Sequence, residues 1–233
     1  MSGSPVVLAL DAAGLACSVA VAAGEELLAA ARCETAHGQA ERLMPLIERT
    51  MGEAGYAAAA LDMVAVTVGP GSFTGIRAGL AAARGIALAL GKPLLGVTTF
   101  EAVAAGPALL AAAIEGALLV VLETRREDLY AQLFDRSGRP CAAPAAVMPA
   151  QLAPMIAAAV GEAPLLVAGD AVQRAAPALA GRRRVSVLAG APPDARGVWR
   201  AALSRWRAGM REERARPFYL RPPDLTLPNR ALP

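Results

Sequence analysis

The first hundred residues alternate short apolar runs with longer segments in which apolar positions recur every three or four residues. Short runs rich in β-branched residues predict strands, and the longer periodic segments predict amphipathic helices. Strands are predicted at 6–10, 17–22, 26–32, 63–68 and 94–97, and helices at 40–54, 76–90 and from 98 to about 113. The order βββαβαβα predicts a largely parallel sheet with helices on both faces.

The rest of the chain repeats this alternation in a shorter form. Strands are predicted at 118–123, 129–134, 165–168 and 185–188, and helices at 149–160 and 195–207. We expect a first lobe of residues 1–110, a shorter second lobe of residues 111–221, and a flexible tail of residues 222–233.

Composition excludes several classes of protein. The chain has 233 residues, of which 55% are apolar, so it can bury a substantial core and is not intrinsically disordered. We find no uninterrupted apolar run near the roughly 18 to 20 residues that cross a bilayer, and the first residues lack the basic and apolar parts of a signal peptide. We therefore expect a cytoplasmic protein that does not contact a membrane.

The basic residues are almost all arginines, since Lys92 is the only lysine. The formal charge is only +3, and the arginines concentrate at 182–184 and 205–216. A solvated helix face explains such clusters more simply than nucleic-acid binding. An RNA-binding module remains a weaker alternative, because no aromatic platform accompanies the arginines.

A glycine-rich loop follows the strand at 63–68 and opens the helix at 76–90. Its glycines, Gly69, Gly71 and Gly75, are spaced one residue wider than the dinucleotide fingerprint, and the chain has no G-K-[ST] tripeptide. Backbone N–H groups at a helix start can bind phosphate, but this spacing favours a tight turn and close helix packing instead.

Metal-ligating residue types are scarce. His37 is the only histidine, which excludes a mechanism that needs two imidazole ligands. Cys17, Cys33 and Cys141 lie far apart in sequence with no C-x-x-C pair, which argues against a disulfide framework and a thiolate metal site. The simplest interpretation treats the cysteines as small buried hydrophobes, and we expect no bound transition metal.

Four segments together resemble the TsaB (YeaZ) family. They are the first strand with Asp11 and Cys17-Ser18-Val19, then His37 with Glu41 and Leu43-Met44-Pro45, then the block from Gly69 to Gly79 that contains Gly71, Ser72, Thr74 and Arg77, and finally Pro217-Phe-Tyr-Leu-Arg221. The match covers the chain nearly end to end. The resemblance implies an α/β, actin-like ATPase-domain (ribonuclease H-like) fold of two related lobes, with mixed sheets flanked by helices.

The resemblance also implies a function. The family member is expected to be a non-catalytic scaffold and activator of TsaD in the synthesis of N6-threonylcarbamoyladenosine in tRNA. It would work with the ATPase TsaE and reach tRNA only through the complex. The alternative is a metal-dependent carbamoyltransferase or glycopeptidase-like enzyme of the same fold. The resemblance places paired metal-binding histidines of TsaD where this chain has Thr98-Thr-Phe-Glu-Ala-Val-Ala104, which argues against that alternative.

Nucleotide binding by the chain alone is expected to be weak or absent. Asp11 before the Gly14 turn resembles the phosphate-binding hairpin of the actin and sugar-kinase fold, in which the carboxylate holds hydrated magnesium. The family commonly has Asp-Thr where this chain has Asp11-Ala12, so a hydroxyl that could meet a phosphate is missing. Gly169-Asp170 could meet the adenosine in that fold or could be a plain helix cap. We expect no resident cofactor.

Two helices, at 39–54 and 74–90, are expected to contact the partner. The resemblance implies that they pair with their equivalents in TsaD in a pseudo-symmetric bundle, and with a second copy of this chain when TsaD is absent. The residues expected there are Leu43, Met44, Ile47, Met51, Gly75, Gly79, Ala82 and Ala83. The same residues could instead form the protein's own core, and both alternatives stay open at this point.

Overall fold

The chain folds into two five-stranded mixed sheets, each flanked by helices. The computed structural model describes residues 4–34, 39–110, 112, 114–124, 126–210 and 215–221.

The first sheet has the order β3-β2-β1-β4-β5. Its strands are β1 (Val6–Asp11), β2 (Ala16–Ala23), β3 (Glu26–Glu34), β4 (Met63–Gly69) and β5 (Leu94–Thr98). The helices α1 (Gln39–Ala54) and α2 (Phe73–Leu90) connect β3 to β4 and β4 to β5, with a 3-10 turn at Ala58–Ala60. β1, β2 and β3 run antiparallel, whereas β4 and β5 run parallel to β1.

Helices cover both faces of the first sheet. Because side chains alternate along each strand, successive residues pack against helices on opposite faces. Leu8 and Leu10 of β1 pack in the apolar cluster to which α1 and α2 also contribute side chains. Val7 and Ala9 face the opposite side, where α7 (Ala195–Arg207) covers them. Trp199 of α7 is fully buried, and its indole N–H donates to the carbonyl oxygen of Gly24 at 3.0 Å. The C-terminal helix is thus anchored to the N-terminal sheet.

The second sheet repeats the pattern of the first in the order β8-β7-β6-β9-β10. Its strands are β6 (Ala117–Glu123), β7 (Leu129–Phe134), β8 (Ala145–Val147), β9 (Leu165–Ala168) and β10 (Val185–Val187). The remaining helices are α3 (Thr99–Ala104), α4 (Pro107–Leu110), α5 (Leu152–Val160) and α6 (Val172–Ala175), with 3-10 turns at Pro149–Gln151 and Ala176–Leu179. β7, the hairpin partner of β6, pairs with it antiparallel, and β9 runs parallel to β6. β2 and β4 have the same relation to β1 in the first sheet.

The predicted fold class is confirmed, but several elements differ from their predictions, and the short helix α6 was not predicted. The sequence analysis missed β8, a three-residue strand of small residues whose pattern is too short to detect. The helix that begins at Thr98 ends at Ala104, before Gly106-Pro107, and α4 follows it. Finally, residues 195–207 were expected in the second lobe, whereas α7 lies against the first sheet.

A glycine permits this docking of α7 against α3. A Cβ added at Gly197 would lie 1.9 Å from the carbonyl oxygen of Ala102. The two helices therefore approach at backbone distance, which a larger residue would prevent.

The arginine clusters were expected on a solvated face, and two of their members are instead structural. The Arg182 side chain is only 7% exposed and donates to the carbonyl oxygen of Ala163 at 2.7 Å. Arg205 pairs with Glu101 of α3 and is largely buried. These arginines hold elements together and leave less positive charge for a nucleic-acid surface.

Helix α2 is long and apolar enough, by length and composition alone, to cross a bilayer. A core helix of a soluble protein passes the same test. Ile76, Leu80 and Ala83 of α2 are buried in the cluster that faces the first sheet, and 33% of the helix is buried in this structure.

Candidate functional site

The hairpin turn between β1 and β2 encloses the Asp11 carboxylate. Its Oδ1 accepts hydrogen bonds from the Thr67 hydroxyl at 2.8 Å and from the Ala13 N–H at 3.2 Å. The side chain is 1% exposed, and burial raises the pKa of Asp11 to about 6 despite these two bonds. Ser18, opposite Asp11 in the hairpin, accepts from the N–H of Ala195 at the start of α7. The polar groups of the hairpin are therefore engaged within the protein.

The glycine-rich loop docks on this hairpin turn. The Ser72 N–H donates to the carbonyl oxygen of Ala13 at 2.7 Å, and a Cβ added at Gly71 would lie 2.3 Å from that same oxygen. The Ser72 hydroxyl caps α2 by accepting from the Gly75 N–H at 3.2 Å, and Thr74 is exposed in the first turn. The loop is thus a tight turn with close packing, as its spacing predicted.

The C-terminal signature meets the glycine-rich loop. The Phe218 N–H donates to the carbonyl oxygen of Val68, and a Cβ added at Gly69 would lie 2.6 Å from the carbonyl oxygen of Phe218. Residues 215–221 therefore run along the end of β4, and Arg221 reaches the second lobe to pair with Asp128.

An exposed cluster of two rings and one guanidinium lies where the two signatures meet. The Arg77 guanidinium stacks over the Phe73 ring at 3.7 Å, and the rings of Phe73 and Tyr219 lie 5.5 Å apart. The Arg77 Nε also donates to the Tyr219 hydroxyl at 3.3 Å. Phe73 and Tyr219 remain 41% and 39% exposed. The sequence analysis identified both motifs but missed their contact, which no spacing within either motif encodes.

The hairpin carboxylate offers little access to a hydrated magnesium ion in this structure. Asp11 is buried and its Oδ1 already accepts from Thr67 and Ala13, which leaves Oδ2 as the oxygen that a metal-bound water could meet. Within the described ranges, no three His, Cys, Asp or Glu side chains form a group that could hold a metal ion. His37 lies outside the described residues.

The residues expected at a partner interface divide into two groups. Leu43, Gly75, Gly79 and Ala83 are buried in the protein's own core, and so is Ile47, which also lines an apolar groove between the two helices. Met51 and Ala82 are partly buried against that core, and Met44 is 50% exposed. The core alternative therefore holds for the buried positions, and the interface alternative stays a prediction for the partly buried and exposed ones.

An open apolar groove runs along the seam between α1 and α2. Its volume is about 470 Å³, and its lining includes Met44, Pro45 and Met51 from α1 and Ile86 from α2. The expected set missed Pro45 and Ile86. Leu88, further along α2, is 85% exposed. The exposed surface of the two predicted partner helices is thus mainly apolar at this seam.

The fold places the chain among the actin-like ATPase domains. It resembles the ROK hexokinase of Thermus thermophilus with a TM-score of 0.51 over 88% of this chain and 100% of that chain, at 17% identity, which shows the fold alone. YeaZ from Pseudomonas aeruginosa is far more similar. The TM-score is 0.77 at 30% identity, with 93% of this chain and 100% of that chain covered.

Sequence comparisons narrow the class to one family. A family model described as TsaD, tRNA N6-adenosine threonylcarbamoyltransferase, matches residues 33–169. The chain is 36% identical over 126 residues to an uncharacterized protein of Mycobacterium tuberculosis, which covers 53% of this chain and 56% of that protein. It is 37% identical over 106 residues to the tRNA threonylcarbamoyladenosine biosynthesis protein TsaB of Escherichia coli, with 43% of each covered.

The chain belongs to the TsaB (YeaZ) family, within the wider group that the threonylcarbamoyltransferase model describes. The matched stretches span about half the length of the curated relatives.

Proposed function

We propose that this protein takes part in the synthesis of N6-threonylcarbamoyladenosine in tRNA as a non-catalytic scaffold and activator of TsaD. The observation that carries the proposal is the apolar groove between α1 and α2, on the helices that the family resemblance assigns to the partner interface. TsaE as a further partner, indirect contact with tRNA and a cytoplasmic location belong to the same proposal and come from the resemblance and the sequence.

The kind of partner follows from the family relationship. The threonylcarbamoyltransferase model matches residues 33–169, a range that contains α1 and α2. TsaD therefore carries equivalents of these helices, and two related helix pairs can pack around a pseudo-twofold axis. A second copy of this chain offers the same surface, so homodimers are expected when TsaD is absent.

The chemistry of the groove suits such an interface. Methionine side chains are flexible and polarizable, so Met44 and Met51 can adapt to a partner that is similar but not identical to this chain. Covering these groups removes apolar surface from water, which favours association.

The hairpin geometry supports a non-catalytic role. Asp11 is bonded to Thr67 and Ala13, and the glycine-rich loop packs its backbone on the hairpin turn. A phosphate or a hydrated ion would have to approach a buried carboxylate whose Oδ1 is already engaged. The activity of this chain is then to hold TsaD in its active arrangement, and no reaction step is assigned to its own side chains.

Met44→Glu tests the interface. Because Met44 is half exposed, the charge is solvated in the free protein and buried without a partner in the complex. We expect TsaD binding, measured by calorimetry, to weaken by at least about 30-fold, equivalent to about 2 kcal/mol. Circular dichroism should show an unchanged fold. Met44 is a cleaner site for this test than Met51, which packs partly on the core.

Met148→Glu is the matched control, since Met148 is 42% exposed near the second lobe's α5. It should leave TsaD binding unchanged. A folded Met44→Glu protein that binds TsaD as tightly as the parent would place the interface elsewhere.

The enzyme alternative makes a different prediction. If the isolated chain is a metal-dependent carbamoyltransferase or glycopeptidase-like enzyme, it should turn over without TsaD and lose that activity when metal is chelated. Our proposal expects no turnover by the isolated chain and a large increase in TsaD activity on its addition.

A further inference from the structure

Two cysteines that lie far apart in sequence are neighbours in the first sheet. Cys17 of β2 and Cys33 of β3 are directly opposite each other in the antiparallel register. Both side chains point to the face that α1 and α2 cover, because both belong to the apolar cluster on that side. Directly opposed residues have Cα atoms about 4.5 to 5.5 Å apart, which is within the roughly 4.4 to 6.8 Å that a disulfide spans.

The two thiols differ in access. Cys17 is fully buried, whereas Cys33 is half-buried near the sheet's edge, where β3 is the outer strand. The Cys33 side chain also contacts α1, since the Arg42 Nη1 donates to its sulfur at 3.7 Å. The half-buried Cys33 is therefore the thiol of the pair that a small disulfide can reach, and thiol–disulfide exchange needs such access.

We propose that Cys17 and Cys33 form a reversible dithiol–disulfide site that low-molecular-weight disulfides oxidise. The Cys33 thiolate attacks one sulfur of the small disulfide and forms a mixed disulfide, and one small thiolate leaves. The Cys17 thiolate then attacks the Cys33 sulfur, and the second small thiolate leaves. Two protein thiols and one small disulfide thus become one protein disulfide and two small thiols.

The site lies beside the proposed partner surface. Arg42 is on α1, the helix whose outer side contributes Met44 to the groove. Oxidation bonds the Cys33 sulfur to Cys17, so it alters the contact between that sulfur and Arg42, where β3 meets α1. This inference rests on the cysteine pair and does not depend on TsaD binding.

The test uses the full chain with Cys141→Ser, because Cys141 is exposed and would take up glutathione independently. The folded protein is equilibrated with mixtures of oxidised and reduced glutathione and analysed by mass spectrometry. We expect a loss of two hydrogen masses without an adduct, the disappearance of both remaining thiols, and a cross-linked Cys17–Cys33 peptide. Dithiothreitol should restore both thiols.

Single replacements in the Cys141→Ser protein separate the attacking role of Cys33 from the resolving role of Cys17. Cys17→Ser should accumulate a glutathione adduct at Cys33, because the resolving thiol is gone, and Cys33→Ser should stay unreacted. Peptide mapping of the parent sequence decides the question if either variant fails to fold. Two persistent thiols at every glutathione ratio, or a stable adduct on Cys33 with Cys17 present, would overturn the proposal.

Discussion

The two lobes have the same strand order but carry very different helices. In the first lobe the two crossover helices, α1 and α2, have 16 and 18 residues. In the second lobe the corresponding connections hold α5, with nine residues, and α6, with four. The long helices of the first lobe have more surface than their own sheet can cover. The apolar groove lies on the part of that surface that the sheet does not cover. A shared topology therefore does not predict a shared surface.

The hairpin turns of the two lobes are also held differently. In the first lobe a buried carboxylate, Asp11, binds the turn from inside with the help of Thr67. In the second lobe the turn between β6 and β7 is held from outside by Arg174, which donates to three of its carbonyl oxygens. One lobe uses a buried charge and the other a half-exposed one, so pH and mutation should affect them differently.

The largest expected difference concerns the glycines at the ends of two equivalent strands. Gly69 ends β4, and Gly169 follows β9. Both have positive φ, but a Cβ at Gly169 would lie 1.9 Å from the Val121 carbonyl oxygen in the central strand β6. We expect Gly169→Ala to lower the free energy of unfolding by about 2 to 4 kcal/mol, measured by urea denaturation.

Gly69→Ala should lower the free energy of unfolding by less, since the obstacle is the Phe218 carbonyl oxygen, 2.6 Å away in a segment outside both sheets, whereas Val121 lies in a central strand. Gly85→Ala, in open space on α2, is the control and should stabilise by about 0.5 to 1 kcal/mol. Equal losses for Gly69→Ala and Gly169→Ala would contradict this difference between the lobes.

The next prediction concerns the pH dependence of the first lobe. Burial raises the pKa of Asp11 to about 6, above its ordinary value of 3.8, so the folded state binds this proton more tightly than the unfolded chain. The stability contributed by the protonated form is therefore lost as the pH rises from about 4 to about 6, at most about 3 kcal/mol. Asp11→Asn should remove this loss and gain stability over the parent in that window, as followed by thermal melts.

Asp135, in the turn between β7 and β8, is the control, because its pKa is shifted in the opposite direction. The Ser137 hydroxyl and the N–H groups of Ser137 and Arg139 lower the pKa of its carboxyl. Its contribution is present at neutral pH and is lost at low pH, so Asp135→Asn should change the pH profile only in acid. If the stability of the parent protein does not change between pH 4 and 6, the pKa of Asp11 is not raised.

The strands and long helices were predictable because their signal is local. Continuous apolar runs such as those of β1 and β4 lie in strands buried on both faces, and the helix predicted to begin at 98 does begin there, with Thr98 and Glu101 forming a capping box. The return of α7 to the first sheet was not predictable, because it depends on Gly197 fitting against Ala102 and on Trp199 reaching Gly24. No pattern within one element encodes such a contact.

The candidate site was predictable in its residues and not in their geometry. The motif positions Gly71 and Ser72 do lie against the hairpin turn. The periodicity of α1 could not separate its core positions from its exposed ones, because Leu43 and Met44 are both apolar and adjacent. Likewise, the sixteen-residue separation of Cys17 and Cys33 obscures their pairing, which depends on the register of β2 and β3.

The smallest expected effect is at Arg174, which holds the second lobe's turn. Its Nη1 lies 2.5 Å from the Glu123 carboxylate, and its Nη2 donates to the Glu127 carbonyl oxygen at 2.8 Å. Because the side chain is about one-third exposed, solvent screens the pair. We expect Arg174→Gln to lower the free energy of unfolding by about 1 to 2 kcal/mol and to speed amide exchange in the turn. Arg139→Gln, at an 82% exposed side chain in the same lobe, should have almost no effect. If the turn amides of both variants exchange at the parent's rate, the Arg174 contacts do not stabilise the turn. The difference between the hairpin turns of the two lobes would then be smaller than their side-chain contacts indicate.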